Sequence, residues 1–78
     1  MKSEKELFNL ARLMFHINLD LSKDTINSFE REELKEKANE IRNILLKKGY
    51  DANEFMRYQE LYSQMSITEY FEFLKTLE

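Results

Sequence analysis

The chain of 78 residues contains one imidazole, His16. His is the side chain whose ordinary pKa suits proton transfer near neutral pH, so His16 is the natural candidate for general acid–base work. Asp20 lies one helical turn later, where it would orient the ring. A nucleophile is missing: Ser3 and Ser22 fall at the two ends of the same helical stretch, away from His16, so no Ser–His–Asp arrangement assembles. His16 therefore reads as a solvated residue of a polar stripe, paired with Asp20. Carboxylates are abundant on the second helix (Glu30, Glu32, Glu33, Glu36, Glu40), but no Glu-x-x-His motif turns them into a di-iron bundle. No Ca²⁺ loop or Gly-rich phosphate loop appears, and the lack of Cys removes thiolate sites. The expectation is a chain with no catalytic set, no cofactor and no metal.

Nucleic acid is the second chemistry to weigh. Asn53, Arg57 and Gln64, spaced along the third helix, are base-reading types, and Lys47 and Lys48 precede them at a corner where phosphate contact is possible. Glu54 and Glu60 share that helix, and the formal net charge is −3. An acidic surface repels phosphate, so DNA reading by the third helix is the alternative and not the leading reading.

These residues are carried by helices. The chain has no Pro, no Val, a single Gly and many Leu, Glu and Lys, which argues for an all-α fold. We expect a small three- to four-helix bundle, one domain over 1–78, with helices near 4–21, 28–48, 52–65 and 67–77. Ser3 reads as an N-cap followed by the acidic Glu4 and Glu6. The second helix begins at Ser28, or a turn earlier at Asp24, and ends at Lys47–Lys48 with Gly49 as its left-handed terminator. Asp51-Ala52-Asn53-Glu54 and Ser66-Ile67-Thr68-Glu69 both read as capping boxes.

The most informative element is the first helix. On a wheel of about 100° per residue, Lys5, Asn9, Arg12, His16 and Asp20 form one narrow polar stripe. Nearly all the rest is apolar, roughly twice the arc a surface helix needs. One sub-face is Leu7, Leu10, Met14, Ile17 and Leu21, and a second is Phe8, Phe15 and Leu19. Such a helix is either central in its own bundle or one side of an interface, and the pattern is the same for both. The interface reading assigns Phe8, Phe15 and Leu19 to a partner. The last third is rich in rings, of which Tyr58 and Phe73 sit at the edges of their faces, while Met56 points away from the inner face of the third helix. The second helix has only a narrow seam, Leu34, Ala38, Ile41 and Leu45, with Leu46 off it.

The functional expectation is a non-enzymatic regulator, inhibitor or adaptor that binds another protein. It would self-associate as a homodimer through the first helix or the seam of the second. No apolar run approaches a membrane span and no signal peptide is legible, so the expected location is cytoplasmic. In size, helical economy and charge the chain resembles small bacterial or phage-encoded regulators and immunity-type proteins. No motif carries that likeness, and no residue roles follow from it.

Overall fold

A computed structural model of the chain describes residues 2–77. Four helices follow in order: α1 (Glu4–Leu21), α2 (Ser28–Lys48), α3 (Ala52–Ser63) and α4 (Ile67–Thr76). The fold is all-α, as composition and periodicity require.

Each boundary has a local cause. The Ser3 hydroxyl accepts the Glu6 N–H at 3.3 Å. Asn27 starts α2: its side-chain oxygen accepts the Glu30 N–H, and its amide donates back to the Glu30 carboxylate, both at 2.8 Å. Helix α2 therefore begins at the later of the two expected positions. Gly49 ends it at φ 71°, a left-handed conformation that Gly adopts without a Cβ penalty. Ser66 and Glu69 form the expected reciprocal box at the start of α4. The box expected at α3 is corrected: Asp51 accepts from the Asn53 N–H at 2.7 Å, one residue earlier than a box requires, and Glu54 reaches Arg57 instead.

Helix α1 is the hub. It packs most extensively on α3 and next on α2. Leu7, Phe8, Leu10, Ala11, Met14 and Ile17 are all buried along it, so about half its circumference is core. Helix α2 contributes Ala38 and Ile41, and α3 contributes Phe55 and Tyr58. Helix α4 contributes no fully buried residue; Tyr70, Phe73, Leu74 and Leu77 lie half-buried against the core. The result is a flat molecule of 38 × 31 × 17 Å, with α1 flanked by its neighbours. Its radius of gyration is 13.3 Å. A compact domain of this length has about 11.5 Å.

The sequence does not announce the polar clamp between the N-terminus of α1 and the α2–α3 corner. Lys48 Nζ donates to both Glu6 carboxylate oxygens, at 2.9 and 2.7 Å. The Tyr50 hydroxyl donates to the same carboxylate and accepts the Ser3 N–H at 2.8 Å. One helix away, the Tyr58 hydroxyl donates to Glu4. Glu4 and Glu6, read from sequence as helix-dipole partners, thus also tie the start of α1 to α3 and to the α2–α3 corner.

Candidate protein-binding surface

The sequence-derived candidates separate into core and surface. Phe8 is 0% exposed. Its ring meets Phe73, Tyr58, Tyr70 and Tyr62 at centroid distances of 4.8, 5.5, 6.0 and 6.1 Å. Phe8 is therefore the centre of the aromatic core and is removed from the partner surface. Tyr58 is removed for the same reason: it is buried, edge-on to Phe8, and anchored to Glu4. Phe73 is half-buried, with its ring on Phe8 and Tyr58. Phe15 is half-buried beside Tyr62 and His16. Leu19 is 48% exposed, and Met56, on the outer side of α3, is 63% exposed.

The wheel placed Phe8 beside Phe15 and could not show that α3 and α4 lay four rings over it. The same folding explains what was missed. Helix α4 has an apolar arc wide enough to bury one side and leave another bare. Tyr70 and Phe73 go onto Phe8, and Ile67 and Phe71, one turn apart, stay 78% and 56% exposed. Residues four apart on a helix are neighbours, so they form one patch. A cavity of about 200 Å³ joins this end of α4 to α1: Phe15, Tyr62, Met65, Ile67 and Tyr70 line it. Leu19 lies one turn beyond Phe15 on α1 and is exposed. The sequence signal is present, since Ile67, Phe71 and Leu74 recur at i, i+4 and i+7, but spacing alone does not say how much of that face the core covers.

A second apolar groove runs between α1 and α2. Leu10, Leu13, Ile17, Leu34, Ile41 and Ile44 form its sides, and Asp20, Lys37 and Glu40 its rim, around about 550 Å³. Among the described residues the other large exposed side chains are Phe29 and Leu46, apart on α2, and Leu61 on α3. Scattered apolar residues of that kind are ordinary on a surface.

His16 does not pair with Asp20. Its Nε2 lies 2.7 Å from the Tyr62 hydroxyl, and Asp20 takes Lys23 at 3.2 Å. The ring is turned toward α3 by Tyr62, whose own ring packs on Phe8 and Phe15. The carboxylates on α2 stay dispersed, and no three His, Asp or Glu side chains gather as a metal would require among the described residues.

Two groups of the DNA alternative, Arg57 and Lys48, have carboxylate partners within the chain. Arg57 approaches Glu54 at 3.9 Å and lies over the Tyr58 ring, 5.5 Å from its centroid. Lys48 is held by Glu6. Hydrogen bonds from Lys48 and then Tyr50 hold the Glu6 carboxyl below its ordinary value. The bond to Glu6 raises Lys48 in turn. Burial first, and the bond to Glu6 second, push Tyr50 up; burial and the bond to Glu4 push Tyr58 up to about 12.

Among the described residues no helix is long and apolar enough to cross a membrane. Comparisons with protein-family models, with curated proteins and with solved structures found no match, so no relative lends this chain an activity.

Proposed function

We propose that this chain is a non-enzymatic protein-binding module, working as a regulator, inhibitor or adaptor through an apolar helical surface. The observation that carries the reading is the patch of Ile67 and Phe71 on α4, joined to Phe15 of α1 by the cavity that Ile67 and Phe15 line. Large apolar side chains gathered on one face mark interaction sites more often than isolated ones do. Phe is enriched in the core of interfaces, where a rigid ring adds area at low entropic cost. The absence of Cys and the mixed surface charge support a cytoplasmic location.

Met56, exposed on the outer side of α3, lies away from this patch and is a secondary contact at most. DNA reading by α3 is set aside, because Arg57 and Lys48 already serve Glu54 and Glu6.

The test is affinity capture with the tagged chain and with its Ile67→Glu variant. Ile67 is exposed, so the variant keeps its helix content by circular dichroism. Proteins retained by the parent and lost by the variant support the reading. Identical retention by both overturns it.

A further inference from the structure

We infer that the groove between α1 and α2 receives an amphipathic helix of a partner protein, aliphatic on its buried face and flanked by Lys or Arg. This surface is separate from the α4 patch, and the inference stands without the reading drawn from that patch.

Coverage is the first argument. Every side chain that lines the groove belongs to α1 or α2, so no residue of α3 or α4 closes it. Leu13 stays 39% exposed at its edge, and Leu34 and Ile44 are half-buried in its floor. A second cavity of about 400 Å³ continues the groove toward Thr25 and Ile26, and the two share Asp20, Leu34 and Lys37. Together they form one trough along α2 from Glu30 to Ile44, about 21 Å at the rise of a helix. That length seats about four turns of a second helix.

Shape and floor chemistry select a helix. Two packed helices leave a furrow in which the side-chain ridge of a third lies, with axes about 8–10 Å apart. The floor is aliphatic: Leu10, Leu13, Ile17, Leu34, Ile41 and Ile44. Among the described residues no buried side-chain polar atom lacks a partner, so nothing in the floor calls for a polar ligand. An amphipathic helix lays its apolar face into a groove of this kind.

Charge selects the flanks. The trough carries the carboxylates of Asp20, Glu30, Glu33 and Glu40 against the ammonium groups of Lys23 and Lys37, an excess of two negative charges. Lys23 is held by Asp20 at 3.2 Å, and Lys37 stands on α2 between Glu33 and Glu40. Glu33 and Glu40 are exposed, seven positions apart on one edge of α2. Seven residues are two turns, so cations repeated at that interval on the incoming helix meet both carboxylates. A second copy fits less well. The polar residues of its bare helix α4 include Glu69 and Glu72 against the single Lys75, and acid would face acid.

The test is fluorescence anisotropy of a labelled synthetic peptide of about 18 residues, helical, with Leu on one face and Lys on the other, titrated with the full chain. Two comparison peptides carry Glu in place of Lys, or the same residues in scrambled order. Binding of the Lys peptide alone, weakened by salt, supports the inference. Leu13→Glu should abolish it, and Glu33→Lys with Glu40→Lys should weaken it about tenfold. Ile67→Glu should bind as the parent does. Should Leu13→Glu lose helicity, the charge-reversed variant, altered only at exposed sites, is read in its place. No binding of the Lys peptide overturns the inference. Equal binding of the scrambled or the Glu peptide overturns it too, since either would mean that shape or charge is not being read. Loss of binding in Ile67→Glu would give the site to α4. Sedimentation of the parent showing a dimer that Leu13→Glu dissociates would give the groove to a second copy and overturn the basic partner. None of these outcomes decides the capture experiment, so the two readings fail separately.

Discussion

The Tyr58 hydroxyl of α3 donates to the Glu4 carboxylate at the start of α1, across 54 positions of sequence. It closes the longest hydrogen-bonded loop among those described here, next to the ring stack on Phe8. Hydrogen bonds to a charged acceptor are stronger than neutral ones. Tyr58→Phe should therefore destabilise the fold by about 1–2 kcal/mol while keeping the ring packing. Chemical denaturation reads the loss, and Glu4→Gln, which keeps an acceptor, should lose less.

Alkaline titration should find Tyr58 and Tyr50 above the ordinary range of a phenol. Tyr58 titrates at about 12 in the folded state, against an ordinary value of 10.0. A raised folded value means that the neutral phenol is favoured by folding. Its contribution is complete below 10 and is lost as the pH rises from 10 toward 12. Tyr50 is shifted in the same direction. Tyrosinate formation at Tyr58 should coincide with loss of helix signal. Tyrosinate formation at Tyr58 at the ordinary value would contradict its burial and its bond to Glu4.

The Glu6 clamp should respond at the other end of the scale. Its carboxyl is lowered from 4.5, chiefly by Lys48. Its contribution is present above the ordinary value and is lost as the pH falls through the lowered folded value. Lys48, raised from 10.5, loses its share only as the pH rises beyond that value. Glu6→Gln should flatten the acid limb of a stability-against-pH curve and leave the neutral plateau less stable. An unchanged acid limb would show that Glu6 does not couple folding to protons.

Phe8 should be the most sensitive side chain of the protein. It is fully enclosed and touches four other rings. Phe8→Ala should cost about 3–5 kcal/mol. A domain this small has about that much in total, so the variant should lose cooperative thermal unfolding. Leu46→Ala, on the bare back of α2, should stay within about 0.5 kcal/mol of the parent.

The elements of this fold were legible because their causes are local. Ser3, Gly49 and the Ser66–Glu69 box each act within a few residues, and α1 and α2 fall on their expected bounds. Periodicity also placed Ala38 and Ile41 on the seam of α2, and Leu46 and Met56 off their helices' inner faces. Periodicity could not divide the wide arc of α1 between its neighbours. That division depends on which rings α3 and α4 bring to Phe8, which is why Phe8 and Tyr58 stayed open to a partner reading and are core. Glu6 with Lys48 and Tyr50 was hidden for the same reason. Charge pairs 42 and 44 positions apart leave no repeating mark in the sequence. The bare stripe of α4 lay between the two cases: its spacing was visible, and its fate depended on how much of α4 the core could cover.

That limited coverage makes α4 the place where a small local change should show as motion and not as global unfolding. The Ser66 hydroxyl accepts the Glu69 N–H, one of the orphan donors of a helix start, and removing such a cap costs about 1 kcal/mol. If α4 opens on its own, Ser66→Ala should speed amide exchange about five-fold over Ile67–Thr76 and leave the amides of Leu7 to Ile17 unchanged. No residue of α4 is fully buried, so its opening disturbs only the half-buried edge of the core. A uniform acceleration through α1 would mean that α4 and the Phe8 stack open together, and that the rings of Tyr70 and Phe73 couple them.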